Sequence, residues 1–140
     1  MKLDIAQKIV AGAFAAGRSA GMKPLSVAVL DDRGALKLVA SEDGTSLKRA
    51  EIAIGKAHGA LAMGLGSRTL FTRAQQQPYF IAAVTHAVGP LIPVPGGVLI
   101  LDAAKSVVGA IGVSGDTSDN DEIAALAGIG AAGLTGDPGT

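Results

Sequence analysis

The sequence has no cysteine and no tryptophan, and only one tyrosine and three phenylalanines. The missing cysteines exclude disulfides, thiolate metal sites and cysteine nucleophiles. With aromatics at 3% of the chain, the core must be built from Ala, Val, Leu and Ile. There is also no excess of charge of either sign, because 12 acidic residues balance 12 basic ones. Such a balance gives no electrostatic footprint for nucleic acid or for an anionic membrane. No apolar run approaches the roughly 18 residues of a membrane span. Met1-Lys2-Leu3-Asp4 lacks the charged and then continuously apolar pattern of a secretory signal. The chain reads as a soluble cytoplasmic protein, and its neutrality with 49% apolar content favours a homo-oligomer.

What is present fits one domain spanning all 140 residues. A chain of this size buries roughly 70% of its unfolded surface and needs no staples. Twenty glycines allow close approach of backbone to backbone. Leu3, Ala6, Ile9, Val10, Ala13, Phe14 and Gly17 recur at helical spacing, which predicts a first helix ending near Gly21. Leu25–Leu30 and Ala35–Ala40 are apolar runs around the turn Asp31-Asp32-Arg33-Gly34, so they predict a β-hairpin. A polar loop from Ser41 to Ser46 leads into a long helix from about Ser46 to Gly66. Its expected buried stripe is Leu47, Ala50, Ile54, Ala57, Leu61 and Leu65. Arg49, Ile52, Lys56 and Met63 then fall on the outer side, as a candidate subunit contact.

Arg68–Gln77 and Tyr79–Val88 read as short helices separated by Pro78. Gly89–Gly97, with three prolines and three glycines, is a structured loop. Val98–Leu101 and Ser106–Val113 are predicted strands. The last helix is expected to start near Asp119, with Glu122 completing a capping box, and to end around Gly133. Residues 135–140 are expected to be a frayed tail. Hairpin-linked strands among helices make this an α+β chain with an antiparallel sheet.

Three stretches resemble the GlcG/HbpS-like family, also called the haem-degrading domain. They are LSVAVLDDRGALKLVASEDG at Leu25–Gly44, IAIGKAHGALAMGLGSRTL at Ile52–Leu70, and VPGGVLILDAAKSVVGAIGVSGDTSDNDEIAALAG at Val94–Gly128. The resemblance implies a profilin-like fold with helices on the faces of an antiparallel sheet, assembled into dimers or larger rings. It implies haem or another tetrapyrrole as ligand, since characterised relatives bind haem. Some relatives are linked to iron or corrinoid metabolism, and others belong to organic-acid or aromatic catabolism. Three positions depart from the family pattern: Ser41 stands where arginine is common, His58 stands where threonine or arginine is common, and residues 1–21 hold no histidine. A first-helix haem ligand therefore does not carry over.

The residues that can carry chemistry are few. His58 and His86 are the only histidines, and a free imidazole can act as acid, base or metal ligand near neutral pH. Glu51 lies seven residues before His58 on the same helix edge. The pair can flank a ligand, or His58 can act as a general base. Alternatively His58 is a boundary residue bonded to backbone or water. His86, Met22 or Met63 are the other possible axial ligands. Two histidines without a carboxylate pair make a poor zinc site within one chain, so no metal is expected there, and a site shared across a subunit interface is the alternative. Arg68 and Arg73 can hold a carboxylate or a haem propionate, or lie solvated at the surface. Tyr79 can donate a proton or pack at an edge. Gly96 and Gly97 can offer backbone N–H groups to an oxyanion, or simply form a rigid strand entry.

Gly109, Gly112 and Gly115 share the spacing of a nucleotide loop, but the first two lie in a predicted strand and acids follow them, so they do not bind phosphate. No Gly-x-Ser-x-Gly elbow is present. The sequence supports a small-ligand-binding protein first. The alternative is a cofactor-free isomerase, hydratase or decarboxylase acting on a small organic acid, with His58 as base. An accessory subunit without a ligand comes third.

Overall fold

A computed structural model describes all residues from Met1 to Thr140. The elements run α1 (Leu3–Ser19), β1 (Ser26–Asp31), β2 (Leu36–Ser41), α2 (Arg49–Met63), α3 (Ser67–Gln76), α4 (Pro78–Val88), β3 (Gly97–Leu101), β4 (Val107–Ser114), α5 (Ser118–Ala131) and β5 (Thr135–Asp137). The strands form one sheet in the order β2-β1-β4-β3-β5. Every neighbouring pair is antiparallel. The fold is α+β, as the hairpin-rich pattern predicts.

Side chains alternate across a strand, so each sheet face has its own residue set. Val27, Val29, Val98, Ile100, Ile111 and Val113 share one face. They pack with Ala6, Ile9, Val10 and Ala13 of α1 and Ala124, Ala125 and Ile129 of α5. The intervening positions are mostly small. Ala28, Ala110, Gly97 and Gly112 are buried on the opposite face, where Leu30, Leu99 and Ala110 meet Ala57 and Ala60 of α2. The branched face holds side chains against α1 and α5. The small face admits the backbone of α2.

That close approach explains a corrected expectation. The buried residues of α2 are Ala53, Gly55, Lys56, Ala57, Gly59 and Ala60. The Leu47-Ile54-Leu61 stripe is not the buried one; Leu47 precedes the helix and is 89% exposed. Lys56, placed outside by the sequence pattern, is buried. Gly97 and Gly112 face each other across β3 and β4. A Cβ at Gly112 would overlap the Ala53 carbonyl, and one at Gly97 would overlap the Lys56 carbonyl. The helix therefore seats its smallest face, because larger residues would hold it off the sheet.

Two further expectations are corrected. The cap of α5 is Thr117, whose Oγ1 accepts from the Asn120 N–H at 3.2 Å. The Asp119–Glu122 capping box does not form, because both carboxylates bind Arg68 instead. The tail is not frayed. Thr135–Asp137 pairs with β3 as an edge strand. The Arg68 N–H donates to the Pro138 carbonyl at 3.1 Å, and the Thr140 N–H donates to Thr69 Oγ1 at 2.8 Å. A Gly-Asp-Pro-Gly composition hides the strand, since its pairing partner lies far away in sequence.

Gly112→Ala should therefore lower stability by about 1–3 kcal/mol or more through overpacking. Gly130→Ala, in α5 with nothing within 4 Å of an added Cβ, should instead raise it, by up to about 1 kcal/mol. Urea unfolding compares the two. Similar midpoints would contradict the close seating of α2.

Candidate functional site

The small face of the sheet fixes where α2 points, and one buried ion pair locks it there. Lys56 is 2% exposed, too deep for its ammonium to stay uncompensated. Its Nζ donates to the Val113 carbonyl at 2.8 Å and to Asp121 Oδ2 at 2.9 Å. Asp121 Oδ1 accepts from the Asp116 N–H at 3.0 Å. Burial lowers the Lys56 pKa below the ordinary lysine value, while Asp121 acts in the opposite direction. Burial raises the Asp121 pKa, and Lys56 opposes that rise. The pair links α2, β4 and α5.

Gly96 and Gly97 lie against this pair. Gly96 has φ +119°, and a Cβ there would come within 2.9 Å of Lys56 Nζ. Its carbonyl accepts from the Val113 N–H at 3.0 Å. The Gly97 N–H donates to Ser67 Oγ at 2.7 Å. Both glycines are buried.

With Lys56 turned inward, His58 comes to the edge of α2. Its Nε2 lies 2.7 Å from the Val88 carbonyl. A carbonyl only accepts, so Nε2 must carry the proton, and Nδ1 of the neutral ring keeps its lone pair. Gly89, with φ +90°, makes the turn after α4 that brings this carbonyl to the ring. A groove of about 270 Å³ opens on one side of His58, lined by Glu51, Ile54, Gly55, Val88, Gly89 and Pro90. A second hollow of about 150 Å³ lies on the other side, lined by Asp32, Arg33, Gly34, Leu61 and Ala62. His58 belongs to both. Glu51 shares its groove and makes only a long, exposed contact to Lys48 at 3.8 Å.

The other candidates from the sequence are dispersed. Arg68 Nε binds both oxygens of Glu122 at 3.1 and 3.0 Å, and Nη2 binds Asp119 at 2.6 Å. These bonds, to Asp119 first, raise its pKa further. They join α3 to α5 and compensate the guanidinium, so it is neither a free clamp nor simply solvated. Arg73 Nε donates to Gln77 Oε1 at 3.0 Å, and its Cζ lies 3.9 Å over the Phe80 ring. Tyr79 is 69% exposed and does not pack at an edge. His86 is exposed in the last turn of α4. Neither residue lines the His58 hollows.

The sequence pattern placed Lys56 on the outer face and gave Asp121 and Arg33 no place in a site. The only signal for Lys56 is a lone charge in the Ala/Gly run Ile52–Leu61. No group of three or more His, Asp or Glu side chains could hold a metal ion. No helix is long and apolar enough to cross a membrane.

Removing one partner of a buried pair strands the other charge, which costs about 3–5 kcal/mol. Lys56→Met and Asp121→Leu should each show that loss in urea unfolding. The double variant should lose much less than their sum. Additive losses would contradict the lock.

Comparison with known proteins gives the chain's family and its structural neighbours. A family model described as "Haem degrading protein HbpS-like" matches residues 1–130. No curated protein matches the sequence. Among solved structures, the Klebsiella pneumoniae protein ORFY superposes with a TM-score of 0.84 at 22% identity, over 95% of this chain and 90% of that one. A PduOC–haem complex gives 0.84 at 20% identity, over 96% of each chain. HbpS gives 0.79 at 28% identity, over 93% of this chain and 88% of that one.

Proposed function

The chain belongs to the HbpS-like family of haem-degrading proteins, and on that premise we propose that it binds a small ligand, haem or another flat tetrapyrrole, beside His58. The observation that carries this reading is the state of that ring. His58 is fixed by its bond to the Val88 carbonyl and lines hollows on both sides, while Nδ1 is left without a protein partner. A histidine that ligates a metal characteristically donates its other N–H to a carbonyl or carboxylate, which sets the tautomer. His58 is already arranged in that way, with Nδ1 as the nitrogen left free to ligate.

The lining suits the rest of such a ligand. Ile54, Leu61 and Val88 supply apolar surface, and Arg33 stands on the β1–β2 turn where it can pair with a propionate. Glu51 would flank the opposite edge. The groove of about 270 Å³ falls just below the roughly 300–1,000 Å³ typical of sites that enclose a drug-sized ligand. One chain therefore covers only part of a tetrapyrrole, and a second copy completes the enclosure. The apolar helix α4 suits that contact, because Ile81 is its only buried residue. When bound, haem iron supplies redox and ligand-exchange chemistry. The protein's own part is to ligate through His58, orient through Arg33 and exclude water.

A second reading rests on Glu51 and His58 lining one groove. There His58 acts as general base on a small organic acid without a cofactor.

An absorption titration with haemin separates the two. A saturable Soret shift, lost in His58→Ala and kept in His86→Ala, is expected for the binding protein, which should sediment as a dimer or larger. A shift that survives His58→Ala would remove the assigned ligand. No saturable shift at all would favour the cofactor-free enzyme.

A further inference from the structure

A different hollow, of about 220 Å³, opens between the α1–β1 connection, the loop before α2 and the turn after β4. Its walls are Lys23, Pro24, Gly44, Thr45, Ser46, Arg49 and Gly115. We propose that it is a binding site for the carboxylate of a small organic acid, held by Arg49 and Lys23. This proposal does not rest on the His58 reading.

Arg49 is the anchor. Its side chain is partly buried and fixed by neutral hydroxyls: Nε donates to Ser46 Oγ at 3.2 Å and Nη1 to Ser114 Oγ at 3.1 Å. It takes part in no ion pair, in contrast to Arg18 with Glu42 and Arg68 with Asp119 and Glu122. A guanidinium oriented this way, with its charge uncompensated, presents the planar fork that matches a carboxylate. Lys23 is exposed and its ammonium has no partner in the chain. Thr45 and Ser46 add hydroxyls to the same wall.

Charge and size narrow the ligand. Asp116 follows the lining residue Gly115, and it is already engaged. It accepts from the Lys23 N–H at 2.7 Å, the Thr117 N–H at 2.8 Å and Asn120 Nδ2 at 2.8 Å. Those bonds, the Lys23 N–H first, hold its pKa at about 2, so it stays negative. Arg49 and Lys23 are the two cations that line the hollow, and one guanidinium fork with one ammonium suits a single carboxylate. The volume falls below the roughly 300 Å³ at which drug-sized sites begin, so the acid is small.

The test uses the isotopically labelled full chain, titrated with propionate and followed by NMR. The amide signals of Gly44 and Gly115 should move and saturate at one propionate per chain. Arg49→Met should weaken binding about tenfold or more, and Lys23→Met about threefold or more. His86 lines none of the hollows, and His86→Ala should leave the propionate affinity unchanged. Lys23→Met keeps the test valid if Arg49→Met unfolds, because the Lys23 side chain bonds nothing in the chain. Propionamide moving the same signals equally would overturn the proposal. So would inorganic phosphate saturating the site where propionate fails, or propionate affinity unchanged in Lys23→Met.

Discussion

Lys56 and Asp121 are two full charges held where almost no water reaches, 2% and 1% exposed. Neither could stay there alone, since desolvating an unpaired charge costs several kcal/mol. Their contact at 2.9 Å, completed by the Val113 carbonyl and the Asp116 N–H, fixes α2 against β4 and α5 together. Buried pairs of this kind add little net stability relative to an apolar substitute. Breaking one is costly, because a rotation of α2 that parted the two charges would leave a buried charge unmatched. The positions of Gly96, Gly97 and His58 all follow from this choice.

The composition serves the same arrangement. A helix can bring a lysine through to a partner on α5 only if its backbone lies almost on the sheet. Gly97 and Gly112 leave the necessary space, and Ala53, Ala57 and Ala60 present the matching small face. This accounts for a core with few aromatics and many glycines. The branched residues are gathered on the other face, where α1 and α5 need side chains to pack against. Two sheet faces, one branched and one small, support helices at different depths.

Much of the fold was legible in the sequence. The first helix, the hairpin, both short helices, the β3–β4 pair and the final helix lie within a few residues of their expected places, because each carries a local period or a turn signal. The inner face of α2 was not legible. Hydrophobic periodicity points to Leu47, Ile54 and Leu61, whereas the sheet selects for size, and size has no polarity signal. Strand β5 was hidden because its short Thr-Gly-Asp run depends on a partner elsewhere. In the site, His58 and Glu51 do share a groove at their two-turn spacing. Arg68 and Arg73 could not be ranked from sequence, since their partners Asp119, Glu122 and Phe80 are brought to them by folding. Arg49 was expected only as part of an outer subunit contact, since its uncompensated state is a property of the assembled loops.

The His58 ring is held by one nitrogen, with the other left available. Long-range proton–nitrogen NMR of the His58 side chain in the ligand-free protein reads this directly. The neutral ring should be protonated at Nε2 and bare at Nδ1, and the Nε2 proton should be protected from exchange by the Val88 carbonyl. A ring protonated at Nδ1, or one averaging freely between tautomers, would mean that the lock on α2 does not prepare His58 for a ligand.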